Sequence, residues 1–442
     1  KFADYGEVQI KQLNDRSKMY YTPNKENNVF QLVVQYGAGE REFPKLGYAA
    51  QLMNNAGIMG AYEPQELKEE LSKLNATCHV TADDDNLYII MEGYEASLPQ
   101  ACQLLSRQIL MPKLDEKQLA RLKGSAMGMR QQRKDNVSIL NEALRQYMLY
   151  GEKSDYIKEL TDKEIYELQI SELTGDINRA SNYEAKVFFT GTLPFDQVYD
   201  ILSKNLPLVA NERPSNSPQA KDMMPVTENT VYFLPNNDAE QAQIHLYIPM
   251  QKADKKDDVL RSAFNQYFGL DFTGIVLNEI REKRSMAYTA YAFVGTQGIA
   301  GKASYLRGYI GTQNDKANDA LDVLMGLVND MPKNPERIDN IKSYLRQAML
   351  TSHPSFRNKA MELVDLGYRG YTDDPAKENL PKVDALTFDD IVKFYEENIK
   401  DKPYCISIMG NPKNIDLKRL EKFGKVVKLN ERKLFNTKDA LF

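Results

Sequence analysis

The chain has 442 residues, 42% of them hydrophobic and 10% aromatic, enough to form more than one ordered core. Its 57 basic and 62 acidic residues leave a net charge of -5, which argues against a nucleic-acid partner, for which a basic balance would be expected. Three widely spaced cysteines, Cys78, Cys102 and Cys405, suggest neither a disulfide framework nor a clustered metal site. No run of the sequence reads as a transmembrane helix. The start at Lys1 rather than Met implies a removed upstream segment, with which a periplasmic or other extracytoplasmic location is compatible.

In chain order, the first elements are two strands, "KMYYT" (18–22) and the alternating "VFQLVVQYG" (29–37). A helix over about 45–56 follows, and here the sequence is unusual. "LGYAAQLMNNAGIMGAY" (46–62) carries no ionisable carboxylate, amine, guanidinium or imidazole, although 27% of the whole chain is charged. A shorter helix (64–74) and paired strands within 76–94 come next, the latter interrupted by "ADDDN" (82–86). That acidic run lacks the twelve-residue ligand spacing of a calcium loop and reads as a solvated hairpin tip. Long helices then precede a strand ending in "KVFFTGTLP" (186–194) and the Pro-, Asn- and Ser-rich stretch 209–229.

After that stretch the order begins again. "KMYYTPNKENNVFQLVVQYGAGE" (18–40) lies over "TVYFLPNNDAEQAQIHLYIPMQK" (230–252) at a constant offset of 212, so that Pro23 falls on Pro235 and Leu32 on Ile244. The same offset brings Gly57 onto Gly269, 91–105 resembles 309–324, and "YCISIMGNP" (404–412) repeats the terminal strand. Copy two is expected to contain strands 230–234 and 242–250, helices 256–268 and 273–283, and a strand pair within 286–312. A repeat this long is a domain duplication. The division is placed at 1–214, a linker 215–228, and 229–442. Strands and helices come in blocks, which predicts an α+β fold of two mostly antiparallel sheets covered by helices.

Two such repeats, with this helix following a strand pair, resemble the M16 family of pitrilysin, insulinase and mitochondrial processing peptidases. The resemblance implies the LuxS/processing-peptidase-like metallohydrolase fold. In that family the helix carries H-x-x-E-H, two zinc-binding His around a Glu that activates water. Laid on "GYAAQLMNN", the motif puts Ala50 and Asn54 at the His positions and Met53 at the Glu. The region where the family places its third ligand, 119–136, contains no Glu. The three histidines, His79, His245 and His353, form no pair at helical spacing; the first two read as strand residues and the last as a loop residue. No metal or cofactor is therefore expected on this chain.

"LNEIREKRSMAYTAYAF" (277–293) resembles the family's L-R-x-K-x-x-x-x-Y, which implies that Arg281 and Tyr288 hydrogen-bond the substrate main chain. Arg281 would end a helix and Tyr288 open a strand. Arg284 and Tyr291 offer the same spacing in another frame, and a helix-terminal cation with a packed strand tyrosine would account for either pair. "GTQGIAG" (295–301) reads either as a hairpin tip or as a segment that accepts peptide as an added strand. The resemblance thus implies the substrate-binding, zinc-free half of a peptidase clamp. Its partners would be a peptide and a zinc-bearing M16 half, upstream in the same polypeptide or a separate subunit. The alternative is a catalytically silent peptide-binding or structural subunit.

Overall fold

The computed structural model describes residues 1–270 and 272–440. Its architecture is α+β, built on two six-stranded sheets. The first contains β1 (Gln9–Gln12), β2 (Lys18–Pro23), β3 (Val29–Tyr36), β5 (Thr77–Ala82), β6 (Leu87–Tyr94) and β8 (Ala185–Gly191), in the order β1-β2-β8-β3-β6-β5. A two-residue ribbon, β4 (Gly57–Ile58) with β7 (Pro112–Lys113), stands apart. The second sheet contains β9 (Thr230–Pro235), β10 (Gln241–Lys252), β11 (Thr289–Thr296), β12 (Ala303–Gln313), β13 (Cys405–Gly410) and β14 (Lys425–Lys428), in the order β14-β9-β13-β10-β12-β11.

The two orders superpose strand for strand: β2 on β9, β8 on β13, β3 on β10, β6 on β12 and β5 on β11. In both, the first strand pairs in parallel with the last long strand, and the other three pairings of this set are antiparallel. The register agrees as well. Leu32 lies between Phe189 and Met91, and Ile244 between Ile408 and Ile310. Only the outermost strand differs in origin, since β1 comes before the other strands of its sheet and β14 after those of its own.

The alternation of β3 explains its seat. Phe30, Leu32, Val34 and Tyr36 are fully buried on one face, against helices that include Leu98–Leu110 and Ile170–Ala180. In β10, Ile244, Leu246 and Ile248 do the same against Asp258–Phe268 and Ala317–Asn329. Each such side chain contributes about 1.5–3 kcal/mol through burial.

The opposite faces are covered by exchange between the repeats. Helix Val137–Tyr150, from the first, lays Leu140, Ala143 and Leu144 on Leu234 and Met409 of the second sheet. Its end brings Met148 and Leu149 to Tyr247 and Cys405. Helix Lys359–Tyr368, from the second, lays Ala360 on Val33 and Phe188 of the first sheet. Just before it, Arg357 donates to Thr190 Oγ1 at 2.6 Å and to the Val29 carbonyl at 3.1 Å.

Among the described residues no helix is long and apolar enough to cross a membrane.

Candidate functional site

The charge-free stretch forms helix Leu46–Met53, slightly shorter than the sequence predicts. Its blankness follows from packing. Leu46, Ala49, Ala50, Leu52 and Met53 are at most 2% exposed, so a charge on these positions would have to be desolvated. Ala50 and Met53 belong to the first core. Asn54, just past the helix, is different. Its Nδ2 donates to the Val80 carbonyl at 2.9 Å, and its Oδ1 accepts from the Val80 amide at 2.8 Å. One side-chain amide thereby satisfies both backbone groups of a residue on β5, the edge strand of the first sheet.

These residues do not fit a zinc ion. Ala50 and Met53 offer no nitrogen or oxygen ligand, and both polar atoms of the Asn54 amide are committed to Val80. Helix Glu116–Gln132, which passes nearby, brings no carboxylate from within 119–132. Among the described residues no three His, Cys, Asp or Glu side chains are grouped to hold a metal ion.

The second repeat carries the same clamp at the same edge. Asn265, on helix Asp258–Phe268, donates to the Val294 carbonyl at 2.9 Å and accepts from the Val294 amide at 2.7 Å. The Gly269 carbonyl takes the next outward amide, from Ala292, at 2.9 Å. Gly57 and Gly269, matched by the offset of 212, are both too tightly enclosed for a Cβ. It would lie 2.1 Å from the Tyr62 carbonyl oxygen in one and 2.9 Å from Val276 in the other. The clamps are 211 residues apart, so each helix relates to its glycine with a one-residue difference, which the gapless sequence match does not reveal.

Arg281 and Tyr288 lie on the wall of one open cavity of about 420 Å³, together with Glu282, Ser285, Met286, Gln313 and Lys316. The expected helix 273–283 is broken here. A short turn, Ile275–Leu277, passes into a π-helical turn, Asn278–Glu282, closed by a Lys283 amide bond to the Asn278 carbonyl at 2.9 Å. Ser285 then takes a left-handed φ of 50°, uncommon for a residue with a Cβ, and the chain reverses. The Met286 carbonyl accepts the Thr312 hydroxyl, and the Tyr288 amide donates to the Gly311 carbonyl at 2.9 Å. Tyr288 therefore sits one residue before β11, fixed by its backbone while its side chain is 53% exposed. Its hydroxyl accepts from Gln313 Nε2 at 3.3 Å, which leaves its own proton available. Arg281 is also exposed, and its Nε lies 3.6 Å from Oε1 of its neighbour Glu282. The cavity presents the Arg281 guanidinium and the Tyr288 hydroxyl as hydrogen-bond donors.

The alternative frame separates. Arg284 is held by Glu279, through the carboxylate at 2.6 Å and the main-chain carbonyl at 2.8 Å. Tyr291 packs instead against Tyr309 and Phe293. "GTQGIAG" ends β11 and forms a hairpin tip bonded to its own chain. Ala300 donates to the Tyr368 carbonyl and Gly301 to the Ala253 carbonyl, both at 2.8 Å. With Asn265 and Gly269 closing β11 at Ala292 and Val294, these backbone groups are not available to an added strand.

The remaining candidates are structural. His245 is buried on β10 with its Nε2 2.8 Å from Asn141 Oδ1 on the exchanged helix, and burial beside Arg145 and Arg307 pushes its pKa down to about 3. His79 and His353 are exposed. Burial pushes the Cys102 and Cys405 thiols up to about 12. In the 82–86 tip, Asp83 accepts from the amides of Asp85 and Asn86, and Arg41 pairs with Asp85 at 2.7 Å.

Residues 181–345, which span the end of the first repeat, the linker and about half of the second repeat, match the family profile described as the peptidase M16 inactive domain. The sequence similarity to the peptidase M16 inactive domain is carried by this segment. The M16 fold extends well beyond that segment. A peptidase M16 inactive domain from Pseudomonas fluorescens is similar over 92% of this chain and 99% of its own, with 17% identity and a TM-score of 0.70. The ferredoxin protease FusC, solved with Arabidopsis ferredoxin, matches 92% of this chain at 13% identity and a TM-score of 0.71. The periplasmic protease PqqL from Escherichia coli does so at 13% identity and 0.69. This chain covers only 45% of the FusC chain and 47% of the PqqL chain. No curated protein matches.

Proposed function

We propose that this chain is the substrate-binding, zinc-free half of an M16-type metallopeptidase clamp, with the zinc and its general base on a partner half. The observation that carries the reading is the pairing of Arg281 with Tyr288 on one open cavity wall. A guanidinium and a phenol in that position hydrogen-bond a peptide main chain and orient its carbonyl. Support for a division of labour comes from the helix Leu46–Met53 region, where buried Ala50 and Met53 and the committed Asn54 take the metal-motif positions. The proteases FusC and PqqL, about twice as long as this chain's match to them, provide the fold-level precedent for a second half.

The test is reconstitution with a zinc-bearing M16 half and a quenched fluorescent peptide. Turnover is expected to appear only in the mixture. Arg281→Ala or Tyr288→Phe should lower kcat/KM by about tenfold or more, the scale of one lost charge-assisted or oriented hydrogen bond, without loss of assembly. Unchanged turnover in both variants would overturn the reading in favour of a silent structural subunit.

A further inference from the structure

A cavity of about 1080 Å³ lies away from Arg281 and Tyr288. It opens on the exposed side of helix Leu46–Met53, where Gly47, Tyr48 and Gln51 face helix Glu116–Gln132 and the linker at Gln219. Sites of this size at the junction of two structural units are common places for ligands.

Its charges are mostly paired, and the pairing is uneven. Arg41 holds Asp85 at 2.7 Å, Lys221 holds Asp155, and Arg130 holds Asp162 at 2.7 Å with Glu159 nearby, which also takes Arg133. Two further cations on the wall, Arg121 and Lys158, are solvent-exposed. Glu40 stands out against these pairs. Its carboxylate has neither a hydrogen bond nor an ion pair with any described residue, and its neighbours in charge are Asp83, Asp84 and Asp155. Desolvation and those aspartates push its pKa up to about 7.

The room for this carboxylate is provided by the absence of a side chain. A Cβ on Gly47 would lie 2.4 Å from Glu40 Oε1, so any larger residue would displace it. Tyr48 and Tyr156 line the same cavity, and Tyr48 lies close enough to feel the Glu40 charge. A half-buried, unpaired carboxylate near an aromatic ring suits an organic cation, which gains a charge-assisted bond and ring contact together.

We infer that this cavity is a subsite for an ammonium or guanidinium group, with Glu40 as its counter-ion and Gly47 leaving the space it occupies. The inference rests on the peptide-binding reading for its biological ligand, a basic side chain or the amino terminus of a peptide.

The experiment uses small probes on the full chain, followed by the amide resonances of Gly47 and Tyr48. N-acetyl-arginine amide carries only the guanidinium and glycinamide only the α-ammonium; N-acetyl-citrulline amide and N-acetyl-glycinamide are their neutral controls. At least one cation is expected to bind about tenfold tighter than its control, the value of one charge-assisted hydrogen bond. Which of the two does so identifies the source. Glu40→Gln and Gly47→Ala should each abolish the preference, and Glu40→Gln changes neither size nor fold. Equal binding of cation and control, or a preference that survives Glu40→Gln, would overturn the inference. These probes lack the extended main chain proposed to bind at Arg281 and Tyr288, so such a failure leaves that reading standing.

Discussion

Asn54 and Val80 exchange two hydrogen bonds, at 2.9 and 2.8 Å, in which one side-chain amide satisfies the amide and the carbonyl of an edge-strand residue. An edge strand ordinarily leaves such groups open to water or to another strand. Removing the Asn54 side chain strands both at a partly buried position. Asn54→Ala is therefore expected to cost about 1–3 kcal/mol. Asn265→Ala should cost about as much, since its bonds to Val294 are equally short. Asn55→Ala is the control. Its Oδ1 accepts only from exposed Lys68, and its loss should stay within about 0.5 kcal/mol. Urea unfolding measures all three, and equal costs at positions 54 and 55 would refute the clamp.

Arg281 and Tyr288 show the opposite relation to stability. Both side chains are exposed, and the local turn is held by backbone groups and by Thr312. Arg281→Ala and Tyr288→Phe are expected to change unfolding free energy by no more than about 0.5 kcal/mol. A loss above about 2 kcal/mol in either would mark the pair as structural and remove the reason to assign it to substrate. The comparison thus separates a helix-end cation and a packed tyrosine from a binding pair.

Much of this architecture can be read from the sequence, because strand patterns are local. The offset of 212 that puts Leu32 on Ile244 finds the same register in both sheets. The clamps are not legible this way. Asn54 meets Val80 only after 26 residues of intervening fold, and an asparagine carries no sign of which backbone it will meet. The break in the expected helix 273–283 is likewise a tertiary effect, since the turn is fixed from β12 through Thr312 and Gly311. The missing ligands at Ala50 and Met53 are plain in the sequence, whereas the unpaired state of Glu40 depends on Gly47 and three aspartates brought together by folding.

Two titrating groups, one half-buried and one buried, give opposite pH dependences. Glu40 has its pKa raised to about 7, so the folded chain holds that proton more tightly than the unfolded chain does. Its contribution favours folding at low pH and is lost as pH rises from about 4.5 to about 7. His245 is pushed down to about 3, so below its ordinary value of 6.5 the unfolded chain takes up the proton first. Its contribution is present above about 6.5 and is lost as pH falls toward about 3. The two partly cancel between pH 4.5 and 6.5. Glu40→Gln should expose the rise in stability with pH due to His245, and add on the order of 1 kcal/mol at pH 8 after allowance for solvent screening. Chemical denaturation at a series of pH values checks both. A Glu40→Gln profile parallel to that of the parent chain would contradict the assignment.

The exchanged helices bear on what the proposed repeats, 1–214 and 229–442, can do separately. Leu140, Ala143 and Leu144 belong to the first by sequence yet close the face of the second sheet at Leu234 and Met409. Ala360 belongs to the second and covers Val33 and Phe188. Separating the repeats would uncover both sheet faces at once, and exposed apolar area costs about 25 cal/mol per Å². Cleavage at a protease site inserted between the exposed Thr227 and Glu228 should therefore leave the two fragments associated on size exclusion, with thermal unfolding still a single transition. Leu144→Ala, which opens a cavity at that seam, should lower stability by about 2–5 kcal/mol and allow the cleaved fragments to part at lower denaturant. Fragments that elute apart, each with native-like circular dichroism, would show that the exchange adds little and that each repeat closes its own core.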